Sequence, residues 1–156
     1  MNLKEELVAE SVSHLDLSGF SQVNAGITIG QALAQMQTQG HNVCLVTEEG
    51  GSLIGIFTDR DILRKVVGQD RMGDLVESIM TPEPITVSPN FSAADALWLM
   101  DRKQVRNLPV VDENGKITGT MTHRAIVRYL ASRYPTIVLN LPPRAEHYAD
   151  KAEGGD

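Results

Sequence analysis

Apolar residues recur along this chain with two different spacings, and the alternation between them predicts its elements. Spacings of three and four residues, typical of helices buried on one side, predict helices over residues 3–14, 30–39, 60–67, 92–103 and 124–132. Short apolar runs predict strands over residues 27–29, 43–46, 53–57, 84–87, 108–111 and 116–121. Residues 18–26 are mostly polar, which favours a turn-rich connection.

The same order of elements occurs twice. Gly55–Arg64 returns 64 residues later as Gly119–Arg128, with two arginines, an isoleucine, a threonine and a glycine at matching positions. A duplicated strand–turn–helix unit indicates two copies of one small fold that pack together, because each copy alone leaves an apolar face uncovered. The expected organisation is an N-terminal helix and linker (1–19), a first unit (20–79), a second unit (80–133) and a partly ordered tail (134–156).

Composition excludes several classes of protein. The net charge of −6 disfavours a protein that binds nucleic acid nonspecifically, and the low aromatic content, 4%, disfavours surfaces on which bases stack. No apolar run approaches the roughly 18 residues that a membrane span requires. The single cysteine, Cys44, precludes an internal disulfide, and the polar start of the chain lacks the pattern of a signal peptide. We therefore expect a cytoplasmic protein without nucleic-acid or membrane partners.

Residues for catalysis or metal binding are not arranged in a recognisable pattern. The four histidines lack metal-ligand spacing, and Cys44 lies in a predicted buried strand without a second cysteine nearby. No phosphate-binding glycine string and no nucleophile elbow occur. We therefore expect neither an enzyme nor a metal site.

The order β-α-β-β-α, given twice, resembles a pair of cystathionine-β-synthase (CBS) domains, also called a Bateman module. The strings that carry the resemblance are Met80-Thr81-Pro82, Ile85–Val87, Asn107–Asp112 and Gly119-x-x-Thr122, with Ile27–Ile29, Asn42–Val46 and Gly55-x-x-Thr58-x-x-Asp61 in the first unit. The resemblance implies an α/β (α+β) fold of two units related by a pseudo-two-fold axis. It also implies a regulatory role, a homodimer, and an adenosine-containing ligand between the units: AMP, ADP or ATP, S-adenosylmethionine, or NAD.

The family's ribose-binding signature falls on Thr58 and Asp61. A carboxylate at a helix start can accept two hydrogen bonds from a ribose diol, and the free N–H groups of the first turn suit ribose or phosphate oxygens. The alternative is a helix cap, with Thr58 as the N-cap and Asp61 at the third helical position. Within the duplicated fold, the ribose interpretation is favoured.

The resemblance takes the other walls of this pocket from the opposite unit. Arg106 and Arg124 are candidate phosphate contacts, since a guanidinium offers a planar fork of donors, although solvated arginines are the alternative. The remaining candidates carried over from the family pattern are Thr81, Ile85, Val105, Asn107 and His41.

A second pocket would use Thr122, with Ile27, Asn42 and Val43 as further candidates. Its signature carboxylate is missing, because Ala125 stands where the first unit has Asp61. An alanine side chain accepts no hydrogen bond from a ribose. We therefore predict one good nucleotide site per chain, with the second weak, empty or differently filled.

Two functions remain open. The first is a sensor that binds an adenine nucleotide between its units and signals to an unknown regulated protein through a conformational change. The second is a dimerisation or interaction module that works without a ligand. The intact pair of Thr58 and Asp61 favours the first, and the loss of the second aspartate favours the other.

Overall fold

A computed structural model describes residues 3–133 of the chain, with side chains from residue 5 onward. The predicted tail, residues 134–156, lies outside the described residues. The helices are α1 Leu3–Ala9, α2 Ile29–Gln39, α3 Asp59–Lys65, α4 Ala93–Lys103 and α5 His123–Arg133. The strands are β1 Ser21–Asn24, β2 Val43–Thr47, β3 Leu53–Thr58, β4 Thr81–Pro82, β5 Asn107–Val111 and β6 Ile117–Thr122. This mixture of helices and strands, repeated in two copies, confirms the predicted α+β class.

Each unit is built on its own small sheet. The first sheet has the order β1-β2-β3-β4, with β1 parallel to β2 and the other neighbours antiparallel. The second sheet consists of the antiparallel pair β5 and β6. A single parallel bridge joins Val87 to Val110 beside it. The hairpins β2–β3 and β5–β6 therefore occupy matching places in the two units.

Three predicted elements differ from the structure. The first strand lies at Ser21–Asn24 rather than residues 27–29, because Thr28 instead caps α2 by accepting a hydrogen bond from the N–H of Gln31 at 3.1 Å. Of the predicted strand 84–87, only the bridge at Val87 forms. The predicted helix 3–14 ends at Ala9 and is followed by a short 3-10 helix, Val12–His14.

The two units exchange short segments. The first arm (residues 10–17) packs on the second unit, and the second arm (residues 74–81), 64 residues later, packs on the first unit. Val12 and Leu15 are buried in the second core, whereas Val76 and Ile79 are buried in the first. The backbone contacts match as well: the Val12 N–H donates to the Phe91 carbonyl at 2.9 Å, and the Val76 N–H donates to the Ile27 carbonyl at 3.0 Å. Each core is therefore completed by an arm that precedes the hairpin and the first long helix, α2 or α4, of the other half of the repeat.

The single cysteine lies inside the first core. Cys44 is on β2, whose five residues are all buried. Burial raises the pKa of the Cys44 thiol to about 12, so the thiol stays protonated at neutral pH. This position agrees with the structural role expected of a cysteine in a buried strand.

No helix within residues 3–133 combines the length and the apolar character that crossing a bilayer requires.

Candidate functional site

A cleft of about 670 Å³ lies between the two units. Its size is in the range of small-molecule sites, which run from about 300 to 1,000 Å³. Six parts of the chain form its walls: the end of the first arm with the residues after it, the α2–β2 connection, the β3–α3 junction, β4 with the stretch after it, the α4–β5 connection and the β6–α5 junction. The nine residues proposed for the first pocket all line this cleft: His41, Thr58, Asp61, Thr81, Ile85, Val105, Arg106, Asn107 and Arg124.

Asp61 both caps its helix and faces the cleft. The backbone N–H of Thr58 donates to Asp61 Oδ2 at 2.9 Å, and the Thr58 hydroxyl donates to the same oxygen at 3.4 Å. The other oxygen, Oδ1, lies 3.7 Å from Lys65 Nζ, with 24% of the Asp61 side chain exposed. The capping alternative is therefore realised in the structure, but Oδ1 keeps acceptor capacity for a ligand.

The two equivalent helix starts carry opposite charge. The first turn of α3 contains Asp59 and Asp61, whereas the first turn of α5 contains no acidic residue and begins with His123 and Arg124. All four of these residues line the cleft. The start of α3 thus presents two carboxylates and Arg60 to the cleft, whereas the start of α5 presents Arg124 without a carboxylate.

A hydrogen-bond chain orients His41. The buried hydroxyl of Ser21 donates to Gln39 Oε1 at 2.5 Å and lies 3.1 Å from His41 Nδ1. A serine hydroxyl has one proton, so Nδ1 must donate to the serine oxygen. The other ring nitrogen, Nε2, is then the one that can contact a ligand, since His41 lines the cleft.

Two of the four residues proposed for the second pocket line the cleft, and two do not. Thr122 and Asn42 line the cleft, and Thr122 Oγ1 accepts a hydrogen bond from the N–H of Ala125 at 3.0 Å. Val43 is 1% exposed inside β2, and Ile27 packs against the first core. Neither of these two belongs to the residues that line the cleft.

Several cleft residues were missed by sequence reasoning. Among them are Asp16, near the end of the first arm, and Ser18 and Gly19, which come directly after it. The repeat could have predicted them. The stretch around Thr81 was expected to line the cleft, and the equivalent stretch lies 64 residues earlier, around Leu17. The other missed lining residues include Gln39, Arg60, Gln104, His123 and Arg128.

Within the described part of the chain, no group of three or more His, Cys, Asp or Glu side chains is placed to hold a metal ion.

The chain matches the family model of the CBS domain twice, over residues 19–68 and 76–132. The arabinose 5-phosphate isomerase GutQ of Salmonella typhi is 34% identical over 113 residues, which are 71% of this chain and 35% of the isomerase. The CBS domain-containing protein YhcV of Bacillus subtilis is 38% identical over 97 residues, which are 61% of this chain and 68% of YhcV. The chain thus spans only a minor part of the isomerase.

Solved structures show the same architecture. CBSX2, solved in complex with AMP, superposes with a TM-score of 0.67 at 25% identity, covering 80% of this chain and 98% of CBSX2. The CBS domain pair of MJ0100, solved with 5′-methylthioadenosine and S-adenosyl-L-methionine, superposes with a TM-score of 0.71 at 22% identity, covering 80% of this chain and 98% of that pair. Because two domain copies cover more than half of its length, the chain belongs to the CBS-domain family and carries a tandem pair.

Proposed function

We propose that this chain is a regulatory module that binds an adenine nucleotide in the cleft between its units. In this proposal Asp61 accepts hydrogen bonds from the ribose, and the base lies against Ile85 and Val105. Arg124 and His41 contact the phosphate. The supporting observation is that nine candidate residues from separate parts of both units line one cleft. The AMP complex of the similar CBSX2 agrees with a ligand of this class.

The proposed output is a change in the relative arrangement of the units. The ligand would contact both units, so its binding favours whichever arrangement it fits better. The regulated partner is a separate protein, and the cytoplasmic location expected from the sequence belongs to the same proposal. A regulatory role also fits CBS-domain pairs generally, whereas the isomerase activity of GutQ belongs to a protein of which this chain matches 35%.

Asp61→Asn is expected to weaken nucleotide binding at least about tenfold, because it removes a charge-assisted acceptor of ribose hydroxyls. The asparagine Oδ1 can still accept the Thr58 N–H, so the helix cap is kept. Isothermal titration of AMP, ADP, ATP, S-adenosylmethionine and NAD into both proteins measures the effect. Any of these compounds that binds should also stabilise the wild type against unfolding, by about 2.7 kcal/mol at about 100 times its dissociation constant.

Asp95→Asn is the matched control. Asp95 is the third residue of α4, as Asp61 is the third residue of α3. Its backbone N–H donates to the Ser92 hydroxyl at 3.0 Å, and Asp95 does not line the cleft. This variant loses the same charge and should bind nucleotides like the wild type. The proposal fails if none of the five ligands binds the wild type, or if both variants bind equally.

A dimerisation module is the second candidate function, and it is favoured by an exposed apolar surface. Leu63 on α3 and Val127 on α5 are equivalent positions of the two units, and they are 66% and 64% exposed. Val67, one turn after Leu63, is 61% exposed. A pair of matching apolar helix faces suits a two-fold dimer, which uses the same patch on both subunits. The homodimer is compatible with either function.

The wild type is expected to sediment as a dimer, and Leu63→Glu to shift it towards the monomer, because a charge in an apolar interface loses its hydration. Val8→Glu is the control, since Val8 is 56% exposed on α1 and is not one of the three residues of this surface. Analytical ultracentrifugation of the three proteins tests the surface. A monomeric wild type, or equal dissociation of the two variants, would contradict it.

A further inference from the structure

A buried serine lies behind the wall of the cleft that the α2–β2 connection forms. Ser21 is the first residue of β1 and is 1% exposed. Its side-chain partners, Gln39 and His41, both line the cleft, whereas Ser21 is not among the lining residues. Ser21 can therefore act on a ligand only through a residue that does reach the cleft.

The backbone of the α2–β2 connection holds His41 in place. Gly40, directly before it, ends α2 in the left-handed region, with φ of 72°. The His41 N–H donates to the Met36 carbonyl at 3.0 Å, and the next carbonyl, that of Asn42, accepts the N–H of Asp59 at 3.0 Å. The connection is thus tied both to α2 and to the start of α3. Only the side-chain torsions of His41 remain to be fixed.

Ser21 fixes the direction of the His41 ring. The serine proton goes to Gln39 Oε1 at 2.5 Å, so His41 Nδ1, at 3.1 Å from the serine oxygen, donates to that oxygen. The nitrogen left for the cleft is Nε2. A phosphate oxygen only accepts, so a ring that contacts one donates through Nε2 and then carries a proton on both nitrogens. Without the serine oxygen, Nδ1 loses this acceptor and the ring is free to turn.

The second unit has different residues at the equivalent positions. Ile85, Lys103 and Val105 stand 64 residues after the serine, glutamine and histidine. Isoleucine and valine side chains make no hydrogen bonds, so no such chain forms there. Burying the Ser21 hydroxyl where the repeat has isoleucine is unfavourable unless the hydroxyl is hydrogen-bonded. Its two partners satisfy it, and the result is an oriented imidazole in the first unit.

We propose that Ser21 is a positioning residue that sets the preference of the cleft for phosphorylated adenosine compounds over adenosine. It does so by directing His41 Nε2 to the phosphate. This inference rests on the proposed nucleotide function, in which His41 contacts the phosphate. Loss of the serine hydroxyl weakens the hold on the phosphate, whereas the contacts of Asp61 with the ribose and of Ile85 with the base stay as they are.

Isothermal titration of AMP, ADP, ATP and adenosine into the wild type and Ser21→Ala tests this role. Ser21→Ala should weaken the tightest-binding of the three nucleotides at least about fivefold and change adenosine binding less than about twofold. In a His41→Ala chain, adding Ser21→Ala should cause no further loss, because the serine acts through the ring. This double-mutant cycle separates positioning from a general effect on the fold.

Thr47→Val is the matched control. Thr47 lies on β2 of the same sheet and is 1% exposed, and its hydroxyl donates to Asn24 Oδ1 on β1 at 3.1 Å. It does not line the cleft. The variant therefore removes a buried hydroxyl that also bonds to β1, but one without a cleft residue as its partner. The ratio of nucleotide to adenosine affinity should equal that of the wild type.

NMR of the histidine ring nitrogens gives a readout that needs no ligand. In the free wild type and in Thr47→Val, the neutral His41 ring should carry its proton on Nδ1. Ser21→Ala removes the acceptor of that proton, so the Nδ1-protonated form should decrease in favour of the Nε2-protonated form. A change confined to stability would leave this distribution as it is.

The positioning role and the nucleotide site fail on different results. The role of Ser21 is overturned by a proton on Nε2 of His41 in the free wild type, or by an unchanged affinity ratio in Ser21→Ala. An equal change of that ratio in Thr47→Val also overturns it. Each of these results leaves the nucleotide site standing. Binding of S-adenosylmethionine without any phosphorylated compound would keep the cleft as an adenosine site but overturn the phosphate role, whereas the nucleotide function itself fails if no adenosine compound binds.

Discussion

Gly119→Ala is expected to lower the free energy of unfolding by about 3 kcal/mol. A methyl group on Gly119 would meet the Cβ of Leu17 and lie 2.7 Å from the Leu17 carbonyl oxygen, so the backbone of the first arm would have to move. Overpacking of this kind costs about 1–3 kcal/mol. The move would also strain the hydrogen bond from the Thr120 N–H to the Leu17 carbonyl, now 3.0 Å. Urea denaturation measures the loss.

Gly55→Ala is the comparison that the repeat provides, because Gly55 is the counterpart of Gly119 in the first unit. There the added methyl group would meet the side chain of Met80, with its Cγ at 2.8 Å, rather than a backbone atom. A methionine side chain is flexible and can move aside, so the expected cost is about 1 kcal/mol. An equal or larger loss for Gly55→Ala would contradict the close backbone contact between the first arm and β6.

Val12→Ala is expected to cost about 2–3 kcal/mol. Val12 is fully buried in the core of the second unit, so the change removes two methyl groups from apolar surroundings and leaves a cavity. Its counterpart Val76 is equally buried in the first core, and Val76→Ala should cost about the same. Thermal and urea unfolding of the two variants measure both losses.

Val8→Ala controls for the removal of a valine from the N-terminal part of the chain. Val8 is 56% exposed, and such a surface change usually shifts the free energy of unfolding by less than about 0.5 kcal/mol. If Val12→Ala were as mild as Val8→Ala, the first arm would not be part of the second core.

The hairpins could be predicted because their strands are nearly continuous apolar runs. The first strand could not, since Ser21, Gln22 and Asn24 are polar residues. In the structure Ser21 is nevertheless 1% exposed, and Gln39 and His41 satisfy its hydroxyl. A polar residue can occupy a buried strand position when distant residues supply hydrogen-bond partners, and local patterns do not reveal those partners.

The same distinction between local patterns and distant partners explains which residues of the candidate site could be predicted. The segments carrying Asp61 and Arg124 were found because they share a repeat and resemble a family signature. Asp16 was missed because its partner Arg128 lies 112 residues further along the chain. The repeat itself held the missing information, since Val12 and Leu15 precede Val76 and Ile79 by the same 64 residues that separate the two signatures.

The exchange of arms constrains how this chain can be made. During synthesis the first arm leaves the ribosome before the second unit. The residues around Phe91 and Val110 that cover it follow about eighty or more residues later, which takes several seconds at about 5–20 residues per second. The first unit likewise lacks Val76 and Ile79 until the second arm appears. Nascent chains therefore carry uncovered valine and leucine side chains until the elements of both units have emerged.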